Sequence, residues 1–75
     1  MKRTKITNSI RRLRFIYDEM SQQELAGKVG CTRQTIISIE KNRHTPSILL
    51  AFKIAAVFSV TLEKVFQYTE ESESA

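Results

Sequence analysis

Gly30-Cys31-Thr32 interrupts a stretch of helical periodicity and leaves the chain three residues in which to end one helix and begin the next. Upstream, Ser21-Gln22-Gln23-Glu24 has the form of a capping box. In such a box the serine hydroxyl accepts from the glutamate amide, and the glutamate carboxylate accepts in return from the serine amide. Leu25, Ala26 and Val29 follow as an apolar stripe, and Gly30 supplies the left-handed residue that helix ends prefer. This helix is therefore only about two turns long. Downstream, Thr32 caps a further helix with Ile36 and Ile39 on its buried side and Ile37 beside them, before Lys41-Asn42-Arg43-His44 ends it. Ala26 is small where the two helices approach, Gly30 permits the sharp turn, and Ile36 and Ile39 anchor the second helix from behind.

The flanking sequence predicts three more helices. Asn8 or Ser9 caps the first, in which Ile10, Leu13 and Tyr17 recur at three- to four-residue spacing among Arg11, Arg12 and Arg14. Pro46 and Ser47 open the fourth and most hydrophobic, with Leu50, Ala51, Ile54, Ala55 and Phe58 on one face. Ile48, Leu49, Phe52 and Val57 widen that face and predict burial on two sides. Thr61 caps a short fifth helix carrying Leu62, Val65 and Phe66. The expected fold class is all-α, a compact five-helix bundle over residues 9–68, after a basic arm at residues 1–8. Thr4–Thr7 and Val65–Tyr68 alone have strand character and could pair as a short ribbon. Residues 69–75 read as a polar, acidic tail without fixed structure.

At 75 residues and 8.7 kDa the chain holds one domain, which excludes a large enzyme with a separate cofactor domain. Twelve Lys and Arg against eight acids give +4, and three of those acids, Glu70, Glu71 and Glu73, fall in the tail. Twelve against the remaining five leave +7 on residues 1–69, and the first fourteen residues hold six bases and no acid. This asymmetry favours a polyanion as partner. Cys31 is the lone cysteine and His44 the lone histidine, so neither a disulfide, a metal site nor a nucleophilic constellation has its companions. Cys31 is expected to pack as a small hydrophobe, and His44 to sit in a surface turn. No metal, cofactor or catalytic residue is expected. A cytoplasmic location follows from the cysteine usage and from the lack of any apolar run of membrane-spanning length.

Two short helices around a tight turn match a helix-turn-helix, whose second helix enters the DNA major groove. The outward positions of that helix are Arg33, Gln34, Thr35, Ile37, Ser38 and Lys41. Arg forks onto guanine, Gln onto adenine, and Ser or Thr onto either, whereas a merely solvated face carries Glu and Lys in pairs. From Ile10 to Phe66 the chain resembles the phage repressor and Cro-like helix-turn-helix family, also called the xenobiotic-response-element family. The matching residues are Ile10-x-x-Leu13-Arg14, Ser21-Gln22-Gln23-Glu24-Leu25-Ala26, Gly30-Cys31-Thr32-Arg33-Gln34-Thr35-Ile36, Glu40, Pro46-Ser47-Ile48, Lys53-Ile54-Ala55 and Val60-x-Leu62-x-x-Val65-Phe66.

The resemblance implies a two-fold dimer on a near-palindromic operator. It places Gln22 on a backbone phosphate, Arg33, Gln34, Thr35 and Ser38 on bases, and Thr32, Asn42 and Arg43 nearer the phosphates. It also implies an ion pair between Arg14 and Glu40 that ties the first helix to the third. Residues 15–20 run one residue longer than the commonest family spacing, and Asn42 stands where a Gly often follows the third helix. The expected function is a sequence-specific, double-stranded-DNA-binding transcriptional regulator, most simply a repressor. The alternative is a protein-interaction module or an antitoxin on the same scaffold. Size and the apolar surface of the fourth helix favour a homodimer, with Leu62, Val65, Phe66 and Tyr68 as candidate contacts. No small-molecule effector and no membrane partner are expected.

Overall fold

The computed structural model describes residues 2–72, with side chains from Lys5 to Glu70. Strand β1 (Lys2–Asn8) leads into helices α1 (Ile10–Ile16), α2 (Gln22–Val29), α3 (Arg33–Glu40), α4 (Ile48–Val57) and α5 (Leu62–Val65), and strand β2 (Phe66–Ser72) follows.

The helix boundaries lie where side chains satisfy the open backbone groups of helix ends. Ser21 Oγ accepts from the Glu24 amide at 3.0 Å, and a Glu24 carboxylate oxygen lies 3.4 Å from the Ser21 amide, so the capping box forms in both directions. Gly30 ends α2 at φ 76°, with its amide donating to the Ala26 carbonyl. Thr32 and Ser47 cap α3 and α4 through the amides of Thr35 and Leu50. At α1 the cap comes from one residue earlier than the formal N-cap: Asn8 Oδ1 accepts from the Ile10 amide at 3.2 Å, while Ser9 makes no side-chain cap bond. Asn42 takes the left-handed conformation after α3, at φ 59°.

The longer connection between α1 and α2 folds into two successive left-handed residues, Asp18 (φ 59°) and Glu19 (φ 52°). The Met20 amide then reaches the Arg14 carbonyl at 2.9 Å.

The core is built from Ile10 of α1, Leu25, Ala26 and Val29 of α2, Ile36 and Ile39 of α3, Ile54, Ala55 and Phe58 around α4, and Val65 of α5. Within the single chain α4 is covered on one side only. Ile48, Leu49 and Phe52 stay exposed, because α2 and α5 cover only the face that carries Ala51, Ile54 and Ala55.

The all-α class is corrected by a two-stranded antiparallel sheet, while the possible ribbon between Thr4–Thr7 and the segment near Val65–Tyr68 is borne out, in longer form and beginning at Phe66. β1 and β2 pair with Ile6 opposite Tyr68 and Asn8 opposite Phe66, and the pairing continues outward to Lys2 opposite Ser72. Residues 69–72, read from sequence as part of an unstructured tail, therefore belong to β2, and only residues 73–75 of that tail lie outside the described residues. Of the basic arm at residues 1–8, Lys2–Asn8 is likewise a strand, and residue 1 lies outside the described residues. Its Thr and Ile, with Phe66, Tyr68 and Thr69 across from them, suit a pleated surface. The pairing joins segments more than fifty residues apart, so no hairpin turn announces it in the sequence.

Phe66 packs against the core and roots the ribbon on the helices. Seven strand residues span roughly 23 Å. The described residues measure 45 × 21 × 20 Å.

Candidate nucleic-acid interface

Ile36 and Ile39 sink into the core and thereby fix which side of α3 faces outward. Arg33 and Gln34 are exposed, Thr35 and Ser38 half-buried, and Thr32 is exposed at the cap. A surface groove runs along each flank of this helix. One, of about 800 Å³, is lined by Arg11, Arg14, Ser21, Gln22, Gln23, Arg33, Ile37, Glu40 and Lys41. The other, of about 410 Å³, is lined by Thr32, Gln34, Thr35, Ser38, Arg43 and His44. The structure thus brings Gln22 and Arg33 to one flank of α3, and Thr32, Gln34, Thr35, Ser38 and Arg43 to the other.

The base of the larger groove is a bonded cluster. Arg14 forks onto Glu40, Nε to Oε2 at 2.7 Å and Nη2 to Oε1 at 3.0 Å, and its Nη1 donates to the Met20 carbonyl at 2.9 Å. Gln22 Nε2 adds a donor to Glu40 Oε1 at 3.2 Å. Glu40, the one acid lining this groove, is thereby neutralised, and Arg11, Arg33 and Lys41 remain to set its potential. Gln22 also stands in the first turn of α2, where backbone amides lack partners inside the helix and the helix end carries partial positive charge. Chemically the groove suits an anion running past α2 with a polar ligand edge against α3.

Asn42 has a second duty at the far end of α3. Asn8 Nδ2 donates to the Ile39 carbonyl at 2.8 Å and to Asn42 Oδ1 at 3.0 Å. The Ile39 carbonyl also accepts from the Asn42 amide at 2.9 Å, so β1 adds a second donor at the end of the outward-facing helix and ties down the turn that carries Arg43. Sequence reasoning treated Asn8 as a cap for α1 only. The contact to α3 spans 31 positions, and nothing local announces it. Arg11 and His44 also line the grooves without having been singled out. Arg11 could have been found from its place three residues before Arg14, which puts both on neighbouring parts of α1.

Val65 is corrected as a candidate dimer contact. It is fully buried in the core of its own chain, since the single turn of α5 must turn one side chain inward to hold β2 against α1. The Ser9 amide donates to its carbonyl at 2.8 Å. Leu62 and Phe66 are half-buried, and Tyr68 is exposed. Cys31 packs against the core, and burial pushes its thiol pKa up. Among the described residues no three His, Cys, Asp or Glu gather as a metal site, and no helix is long and apolar enough to cross a membrane.

The helix-turn-helix family profile matches residues 19–65, from the end of the α1 turn to the end of α5. This chain belongs to the helix-turn-helix family. An uncharacterised HTH-type transcriptional regulator of Methanocaldococcus jannaschii is 44% identical over 64 residues, covering 85% of this chain and 96% of that one. YgzD of Bacillus subtilis, likewise an uncharacterised HTH-type transcriptional regulator, is 49% identical over 61 residues, covering 81% and 88%. Among solved structures, a proposed DNA-binding protein from Bacteroides fragilis superposes with a TM-score of 0.71 at 21% identity, over 83% of this chain and 98% of that one. That likeness concerns the fold. The helix-turn-helix here is α2, the turn at Gly30-Cys31-Thr32, and α3.

Proposed function

We propose that this helix-turn-helix chain is a sequence-specific, double-stranded-DNA-binding transcriptional regulator, acting in the cytoplasm as a repressor that occupies its operator. The observation that carries the reading is the outward side of α3, where Arg33, Gln34, Thr35 and Ser38 stand between two grooves edged by Arg11, Lys41 and Arg43. The relatives' description as transcriptional regulators supports it. Arg33 forks onto a guanine and Gln34 onto an adenine, while Thr35 and Ser38 take adjacent base edges. Gln22, through its amide and side chain, and Thr32, Asn42 and Arg43 hold phosphates on either side, which positions α3 without specifying sequence.

The operator is near-palindromic and bound by a homodimer, because two half-sites one helical turn apart, roughly 34 Å, need two copies of α3. The surface for that dimer is the exposed apolar face of α4, Ile48, Leu49 and Phe52, together with Ile6 and Tyr68 of the ribbon and the accessible parts of Leu62 and Phe66. Val65 has no share in it. Selection of bound sites from a random DNA pool tests the whole reading. It should return inverted half-sites, and retention of such DNA in a gel shift should fall steeply with salt. An unenriched pool with no salt-sensitive retention would leave the protein-interaction or antitoxin role instead.

A further inference from the structure

We propose that the outer stripe of α1 is a second self-association surface, which joins another copy of this chain in antiparallel register. Ile10, Leu13 and Arg14 turn inward, and Arg11, Arg12, Phe15 and Ile16 are left outside. Phe15 is 70% exposed and Ile16 61%, unusually large apolar groups for the solvent side of a two-turn helix. The stripe ends in the left-handed turn of Asp18 and Glu19, which the Glu19 amide pins to the Phe15 carbonyl at 3.2 Å. Arg11, Arg12, Asp18 and Glu19 are exposed, and none of them makes a side-chain hydrogen bond or ion pair with another described residue.

The order along the stripe is what selects the partner. Two bases, two apolar side chains and two acids succeed one another: the bases stand about one turn, or roughly 5 Å, before the apolar centre, and the acids follow it in the left-handed turn, where Glu19 lines a groove with Arg12 and Phe15. A two-fold axis through Phe15 and Ile16 sets Arg12 of each copy against Glu19 of the other, with the apolar groups between them. Parallel stacking would set like against like. The stripe is thus its own complement, as an isologous contact requires. The contact is small, below the roughly 1,200 Å² of standard interfaces, and belongs to the weak, transient class.

It is also distinct from the dimer face described above. Tyr17 donates to the Phe58 carbonyl, and the two rings meet edge-on at 5.4 Å, which seats the end of α1 on the C-terminal end of α4. Ile48 and Leu49 lie at the other end of that ten-residue helix, roughly 15 Å away. A chain with two separate self-complementary surfaces links dimers into rows, so copies at neighbouring operators would bind cooperatively. That regulatory consequence rests on the DNA-binding reading, whereas the contact itself does not.

Sedimentation velocity of the full chain without DNA, from tens of micromolar to about millimolar as suits a weak interface, tests the contact. The wild type should show a concentration-dependent step that Phe15→Ser removes. Arg12→Glu and Glu19→Arg should each weaken the step about tenfold, since each reverses two symmetry-related exposed pairs, and the double charge swap should restore it. Phe52→Ser should disturb the first association and leave this one. Because these side chains are exposed, circular dichroism should show all variants folded. A wild type without the step, a Phe15→Ser variant that keeps it, or a charge swap that fails to recover it would overturn the proposal. Loss of DNA retention with the sedimentation pattern intact would strike the DNA-binding reading and leave the contact standing.

Discussion

Replacing Arg14 by Met should cost the domain about 3 kcal/mol, the range found when one partner of a largely buried ion pair is removed. The Arg14 and Glu40 side chains are only 15% and 9% exposed, so water does little to replace what is lost. The substitution deletes both bonds to Glu40 and the bond to the Met20 carbonyl, and it leaves the Glu40 carboxylate with Gln22 Nε2 alone. A domain of this size has a total stability of roughly 4–11 kcal/mol. The melting temperature should accordingly fall by about 15 °C. Thermal and urea unfolding followed by circular dichroism measure it. In the double variant with Glu40→Leu the stranded charge is gone, and the loss should be smaller than the two single losses added together, by about 1.5 kcal/mol or more. A single-variant cost below about 1 kcal/mol, or strict additivity, would show that the pair behaves as a surface bridge and does not tie α1 to α3.

Arg33→Ala should lose about 1–3 kcal/mol of binding at one base pair and relax the preference there, whereas Arg43→Ala should weaken cognate and scrambled DNA alike and flatten the salt slope; gel shifts on both DNAs at several salt concentrations separate the two. Asn8→Ala removes a donor to the Ile39 carbonyl and to Asn42 Oδ1 and takes away the acceptor of the Ile10 amide, which should cost about 1–2 kcal/mol, with faster amide exchange at Ile10, Asn42 and Arg43 in native-state hydrogen exchange. Because burial raises the Cys31 thiol pKa, alkylation by iodoacetamide should be slower than for a free cysteine at the same pH. The unfolded chain gives up that proton first as the pH rises, so the stabilisation is full below the ordinary thiol range and lost as pH climbs through the folded value. Urea midpoints in the alkaline range, compared with those of Cys31→Ala, test this.

Helix boundaries in this chain are legible because their causes are local. Ser21 with Glu24, Gly30, Thr32 and Ser47 each act on backbone groups within three or four residues, and every one of them stands at the cap its spacing predicts. The Arg14 to Glu40 pair, implied by family resemblance, also forms across the longer connection that carries the left-handed residues Asp18 and Glu19. Less legible were the burial of Val65 and the exposure of Ile48, Leu49 and Phe52. A hydrophobic pattern says which side chains seek cover, and only the neighbouring elements decide which of them find it.

The sequence by itself determined the five helices, the caps of α2, α3 and α4, and the polar composition of the face that α3 turns outward, since these follow from short-range hydrogen bonding and from the helical repeat; Thr61 stands at the start of α5 without a side-chain cap bond. The tertiary structure decided the rest. It closed residues 2–8 and 66–72 into a ribbon, set Asn8 on the end of α3, shared Glu40 between Arg14 and Gln22, and left α1 and α4 each with an uncovered apolar stripe. All of these join or separate residues far apart along the chain, and such pairings are selected by the packing of the whole core and not by any local preference.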